Sequence, residues 1–379
     1  MISDVLDDVL AWWESGATIG VGTVVETFRS APRQPGAAMA VGPDGSVVGS
    51  VSGGCVEGAL YEVARRVAAS GVPVLERYGV SDEDAFSVGL TCGGVLHVLV
   101  EAVSQATFPE LDEVATSVGA SEPVAVATVV AGTARLGSRL CIWPDRTAGS
   151  LGLAQLDQVV ATDSRGMLAQ GRTGILRLGP AGERRGDQIS VFVASYAPAP
   201  RMLVYGAIDF AAAVAQMGSF LGFRVTVCDA RAIFATKRRF PSADEVVVDW
   251  PHRHLAGAPV DQRTVICVLT HDPKFDVPLL ELALRSPAAY VGAMGSRRTH
   301  RDRLARLRER GLTEAELARL HAPIGLDFGA STPEETAISI VAEIIRARSG
   351  GSGIALGKLA DPIHRGRAAL EPTAVGKPS

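Results

Sequence analysis

The segment Met202-Leu203-Val204-Tyr205-Gly206-Ala207-Ile208-Asp209-Phe210-Ala211 decides the fold of the second half of the chain. It ends a short apolar strand, turns at a glycine and opens a helix. A turn of this kind stands where G-x-G-x-x-G/A begins a dinucleotide-binding unit. Asp229 follows Gly206 by 23 residues, close to the usual spacing of about 20 for a ribose-binding acid. Outward from this point, Arg224–Cys228, Glu245–Val248, Thr264–Leu269 and Ala289–Met294 are further short apolar runs. Helix-length segments or turn-rich loops separate them. That alternation predicts an α/β domain with a doubly wound parallel sheet over 201–348. Its last helix has clear punctuation, with Thr332 as N-cap, Pro333 at N1 and Glu335 completing a capping box. Ile338, Val341 and Ile345 are expected to line one of its faces.

Two loops of this Rossmann-like domain suit an anionic ligand. Gly295-Ser296-Arg297-Arg298 follows a strand and opens a helix, so backbone N–H groups, a hydroxyl and two guanidiniums converge. The arginines beyond it, Arg301, Arg303, Arg306, Arg308 and Arg310, read mainly as a solvated face. His271-Asp272 lies after another strand at the ligand-binding edge. The plainer alternative is that Asp272-Pro273 only starts the next helix. The Gly206 turn itself departs from the dinucleotide pattern. Ile208 replaces the glycine that lets a pyrophosphate approach, and Asp209 adds a negative charge there. Gly206 and Asp229 remain candidate cofactor contacts. The expectation is nonetheless a domain kept for its shape, with NAD(P) in the standard pose as the alternative.

The first half carries cysteines in glycine loops. Gly53-Gly54-Cys55 precedes a helix over Val56–Ser70, and Cys92 lies in Gly89-Leu90-Thr91-Cys92-Gly93-Gly94. At a helix N-terminus the dipole and unpaired N–H groups favour a thiolate. Glycines leave the sulfur uncrowded. Cys141, Cys228 and Cys267 fall in apolar strands and read as small buried hydrophobes. Gln34 is a candidate amide for the same site and Arg33 a candidate anion contact. Strands are expected at Ile19–Phe28, Ala38–Val41, Val47–Val51, Val72–Tyr78 and Val95–Val103, after a helix over 4–15. Residues 123–197 read as mostly β, and no internal repeat is evident. The linker Ala197-Pro198-Ala199-Pro200 suggests a first domain over 1–197, with its thiol site, and a second over 201–348. Residues 349–379 read as a loosely ordered tail.

Composition narrows the function classes. The chain has 379 residues, 47% hydrophobic and 21% charged, which is globular and neither disordered nor coiled coil. A net charge of −4 argues against a general nucleic-acid binder. Five cysteines without a CxxC pair exclude a zinc ribbon and suggest a reducing, cytoplasmic compartment. The acidic N-terminal segment does not read as a signal peptide, and no apolar stretch is long enough to span a membrane.

The words GSVSGGCVEGAL and GLTCGG, followed by YVGAMGSRRTHRDRLARLRERGL and ARLHAPIGLDFGASTPEETAISIVAEII, resemble the XdhC/CoxI family over roughly residues 1–105 and 200–348. Its members are accessory proteins of molybdenum hydroxylases such as xanthine dehydrogenase and carbon monoxide dehydrogenase. The resemblance implies a mixed α+β N-terminal domain and a C-terminal Rossmann-like domain. It implies a factor without turnover of its own, which binds the molybdenum cofactor (molybdopterin or its dinucleotide form). The factor would protect the cofactor while a cysteine desulfurase supplies sulfur, and deliver it to the apo-hydroxylase. By this similarity Cys55 and Cys92 match the family's glycine-loop cysteines. Cys55 would contact molybdenum or carry sulfur, and Gly295–Arg298 would hold cofactor phosphate. The family's GAGHVG or GAGHVA stands here as GAIDFA, which departs at the second glycine and the histidine. The alternatives are an NAD(P)-dependent oxidoreductase, with Asp229 on the ribose and Arg231 near a 2′-phosphate, and a non-catalytic protein-interaction factor. A homodimer is compatible with two domains, but no segment fixes its surface.

Overall fold

A computed structural model describes residues 4–28, 33–79 and 94–359. Cys92, Arg29 and the tail from residue 360 lie outside the described residues. The chain divides into two units, one ending at Pro198 and one spanning Ala199–Lys358. In the first unit the elements are α1 (Leu6–Glu14), β1 (Ile19–Phe28), β2 (Ala38–Val41), β3 (Val47–Gly49), α2 (Glu57–Ser70), β4 (Val74–Gly79), β5 (Val95–Val103) and α3 (Leu111–Gly119). They continue as β6 (Val124–Gly132), β7 (Arg139–Ile142), β8 (Thr147–Ser150), α4 (Ala154–Ala169), β9 (Gly174–Leu178) and β10 (Ile189–Tyr196). The stretch 123–197 is mostly β as expected, with five strands, but it also holds the helix α4. That helix buries Leu156, Val160, Ala161, Ser164, Met167 and Leu168, a stripe with helical spacing.

The expectation of no internal repeat is corrected. Two five-stranded antiparallel sheets share one order, β3-β2-β1-β5-β4 and β8-β7-β6-β10-β9. Their ladders match residue for residue. Val21 pairs with Ala40 and Thr23 with Ala38 in one, Val126 with Cys141 and Thr128 with Arg139 in the other. Both first strands carry a bulge at the equivalent place, near Val25 and near Val130. The strand before each helix carries the same glycine. Gly49 and Gly149 have φ of +77° and +81°, and a Cβ there would lie 2.3 Å from the Ala38 oxygen and 2.6 Å from the Arg139 oxygen. Only glycine fits both the left-handed backbone and the close approach. The unit is therefore one α-β-β-β-α-β-β fold present twice.

The two copies pack sheet against sheet through equivalent residues. Val25, Leu99, Val130 and Phe192 form one cluster across the interface. Thr23 and Thr128 line a common cavity there with Val103 and Tyr196. The symmetry breaks at the charges. Glu101 of β5 meets Arg139 of β7 at 2.6 Å, with both side chains buried. The ladders place alanines, Ala194 and Ala38, at the reciprocal positions. A second ion pair joins Arg177 of β9 to Glu26 of β1. Again the acid comes from the first copy and the base from the second.

The second unit comprises β11 (Arg201–Tyr205), α5 (Asp209–Phe220), β12 (Arg224–Asp229), β13 (Glu245–Val248), α6 (Pro251–Gly257), β14 (Val265–Val268), α7 (Pro273–Arg285) and β15 (Tyr290–Ala293). It ends with α8 (Arg297–Glu309), α9 (Glu314–Leu317), β16 (Leu320–His321) and α10 (Pro333–Ser349). The six strands are parallel in the order β13-β12-β11-β14-β15-β16. This is the doubly wound order, whose direction reverses between β11 and β14. Separate cores cover the two faces, which is why the strands read as continuous apolar runs. Thr332, Pro333 and Glu335 form the expected cap and capping box of α10. Ala337, Ile340, Val341 and Ile344 of this helix point inward, whereas Ile338 and Ile345 are half exposed. No described helix is long and apolar enough to cross a membrane.

Candidate functional site

The Cys55 loop joins β3 to α2 and is organised by a residue the sequence reading overlooked. Glu57, the first residue of α2, folds its carboxylate back under the loop. It accepts hydrogen bonds from Ser50 Oγ at 2.7 Å, Ser52 Oγ at 2.5 Å and the N–H groups of Val51, Ser52, Gly53, Gly54 and Val56 at 2.8–3.2 Å. Ser52 Oγ in turn accepts from the N–H of Cys55 at 3.0 Å. Burial pushes the Glu57 carboxyl up, but these hydrogen bonds outweigh it and hold the group at about 2. Glu57 thus takes up the N–H groups of the loop and of Val56, so these are not available to a thiolate. Cys55 itself is half-buried, in no disulfide, and packed against the core beneath α2. Beside it, Gly53 and Gly54 have φ of +80° and +121°, and among the described residues a Cβ at either would meet nothing within 4 Å.

The other described cysteines differ in kind. Cys141, Cys228 and Cys267 are buried, and burial pushes each thiol up to about 12. Gln34 and Arg33 are exposed in the β1–β2 connection. The hydrogen-bonded cage around Cys55 includes neither of them. Among the described residues no cluster of three or more His, Cys, Asp or Glu could hold a metal ion.

In the second unit the candidate residues gather at the carboxyl edge of the parallel sheet, beside the reversal. The Asp229 carboxylate at the end of β12 accepts from the Ala207 N–H at 2.7 Å and from Arg231 Nε and Nη2 at 2.9 and 2.8 Å. Burial raises its pKa, and Arg231 with the backbone donors brings it net below the ordinary value. Ile208 packs on the core, and Asp209 pairs with Arg239 at 3.0 Å. The acid expected to read a ribose is engaged within the protein.

Gly206 packs against Thr270, which donates to Asp276, and Asp276 binds Arg303 at 2.7 Å. Arg303 also donates to the Met294 carbonyl, directly before Gly295. The expectation of a solvated Arg303 is corrected, since its side chain is 3% exposed. It points inward as the strut that supports the Gly295 loop. Ser296 caps α8 by accepting from the Thr299 N–H at 3.1 Å. Arg297 and Arg298 are exposed, with no ion pair among the described residues. His271 is exposed, and Asp272 caps α7 by accepting from the Lys274 N–H. The plainer reading of Asp272 therefore holds.

A family model described as the XdhC Rossmann domain matches residues 202–344. A second, described as the XdhC and CoxI family, matches 12–79 and 117–179, the two copies of the first unit. The chain is 26% identical over 344 residues to a probable xanthine dehydrogenase subunit of Bacillus subtilis, covering 86% of this chain and 92% of that one. It is 27% identical to the molybdenum cofactor insertion chaperone PaoD of Escherichia coli, covering 88% and 85%. A crystal structure described as a xanthine dehydrogenase from Bacillus halodurans superposes with a TM-score of 0.66 at 25% identity. It covers 93% of this chain and 98% of that one.

Proposed function

The chain belongs to the XdhC and CoxI family, and from that premise we propose that it is an accessory factor carrying the molybdenum cofactor as cargo. In this reading it binds the cofactor, supports its sulfuration by a cysteine desulfurase and delivers it to a molybdenum hydroxylase of the xanthine or carbon monoxide dehydrogenase type. The observation that carries the reading is the Cys55 loop. It offers one half-buried thiol on a fixed backbone, beside two glycines over which no described residue lies within reach of an added Cβ. A soft sulfur donor suits molybdenum or a transferable sulfur, and bare glycine admits a bulky ring system. Cys55 is assigned the contact with the metal or its sulfur, with Cys92 assisting. Arg297 and Arg298 are assigned an anionic group of the cargo in the second unit.

Hydride transfer with NAD(P) is the weaker reading. Asp229 is already bound by Arg231 and the Ala207 N–H, and Ile208 stands where the dinucleotide pattern has its second glycine. The experiment is anaerobic loading with released molybdenum cofactor, read as protein-bound molybdenum after gel filtration. Wild type is expected to retain the cofactor and Cys55→Ala to lose most of it. Equal retention by Cys55→Ala and Cys92→Ala would remove the thiol assignment. No retention by folded wild type would remove the carrier reading.

A further inference from the structure

The cage around Glu57 has the form of an anion-binding nest. Five backbone N–H groups and two serine hydroxyls converge on one point beside a helix start. A phosphate or carboxylate from outside would ordinarily occupy such a concavity. Here the occupant is a carboxylate of the same chain, one residue into the helix. The second copy gives an internal comparison. Asp157 takes the equivalent place, yet it accepts only from Ser150 Oγ and the Leu151 N–H, both at 2.7 Å. The residues corresponding to Gly53-Gly54-Cys55 are Leu153-Ala154-Gln155. The full cage and the thiol thus occur together in one copy and are both missing from the other.

We infer that Glu57 is a built-in anion that fixes the thiol-bearing loop and closes its N–H groups to phosphate. Glu57 is then a positioning and specificity residue. The Cys55 loop engages its ligand through sulfur and through bare glycine surface, and it rejects the ligand's phosphate end. Free phosphate would have to displace a covalently tethered carboxylate and approach its negative charge. The inference concerns the same loop as the proposed function, and its experiment does not require the cofactor.

Alkylation of Cys55 in the full-length protein, followed by peptide mass spectrometry, reads this cysteine alone and is not confused by Cys92. In wild type, neither inorganic phosphate nor formate should change the rate. In Glu57→Ala the loop N–H donors lose their carboxylate, and a negative charge two residues from Cys55 is removed, so alkylation should be faster, by about threefold or more. Added formate should fill the vacated space and return the rate toward wild type, and phosphate should now slow the reaction. Glu57→Gln keeps the volume filled. It serves if the alanine variant fails to fold, and should react faster than wild type without responding to formate. Phosphate protection of Cys55 in wild type would overturn the inference. So would a wild-type rate in both variants with no response to formate. If the anion responses appear as stated but cofactor loading fails, Glu57 keeps its role and only the carrier reading falls.

Discussion

Arg139→Ala, Glu101→Ala and the double variant test whether the two copies are held by one polarised contact. The pair is 2.6 Å apart, with side chains 7% and 11% exposed. Either single substitution leaves the opposite charge buried without its partner, which costs about 3–5 kcal/mol. Arg139→Ala also removes a hydrogen bond to the Thr107 carbonyl and the stacking over the Phe108 ring, worth about 1–2 kcal/mol more. Removing both charges ends the desolvation problem and copies the Ala38–Ala194 arrangement already present at the reciprocal position. The double variant should therefore lose only about 1–3 kcal/mol, mainly the Phe108 contact and the emptied volume. Against about 7–12 kcal/mol for the two single losses taken together, that gives a coupling of about 4 kcal/mol or more. Urea unfolding followed by tryptophan fluorescence measures it. A Trp250→Phe background leaves Trp12, Trp13 and Trp143, all in the first unit. A double variant whose loss equals the sum of the singles to within about 0.5 kcal/mol would refute the reasoning.

Three further outcomes follow from residues already described. Glu343 is raised by burial but held at about 2 by His321, Tyr290 and the Gly325 N–H. Its stabilisation, about 3 kcal/mol, is complete above about pH 4.5 and is lost as pH falls toward 2. The melting-temperature gap between wild type and Glu343→Gln should close over that window, and a constant gap would contradict the assignment. Gly149→Ala should cost about 2 kcal/mol or more, because its Cβ meets the Arg139 carbonyl. Gly53→Ala should cost only about 1 kcal/mol while lowering cofactor retention, since its new methyl group meets no described residue and lies beside Cys55. Thermal melts and the loading assay separate the two. Finally, Arg303→Ala should destabilise the second unit by about 3–5 kcal/mol by stranding Asp276. Arg297→Ala with Arg298→Ala should leave the melt unchanged and make cofactor retention weaker and less sensitive to salt.

The second unit was legible because its signals are local. Apolar runs mark β11, β12, β14 and β15, and the Thr332–Glu335 cap marks α10. Side-chain direction was not legible, which is why Arg303 read as one of several solvent-facing arginines. Its burial depends on Asp276, 27 residues away on another helix. The duplication left a trace in the sequence: Leu6-Asp7-Asp8-Val9 with Thr23-Val24-Val25 answers to Leu111-Asp112-Glu113-Val114 with Thr128-Val129-Val130. Loops of unequal length between β1 and β2 and between β6 and β7 hide it from a reading at fixed period. The Cys55 loop was found from its glycines and thiol. Glu57 was quoted within the same motif, but a glutamate at a helix start ordinarily reads as a dipole-favouring residue. Only the folded loop reveals that one carboxylate gathers seven donors.

The sign pattern of the sheet interface has a consequence for how separate molecules can trade parts. Glu101 and Glu26 lie on the first copy, and Arg139 and Arg177 lie on the second. Two first copies from different molecules would each bury a Glu101 facing an alanine. Two second copies would each strand an Arg139 in the same way. Unlike halves alone satisfy the interface, so any exchange of halves between molecules must join a first copy to a second one. Duplication followed by this division of charge gives the fold an internal polarity that excludes the pairing of like halves.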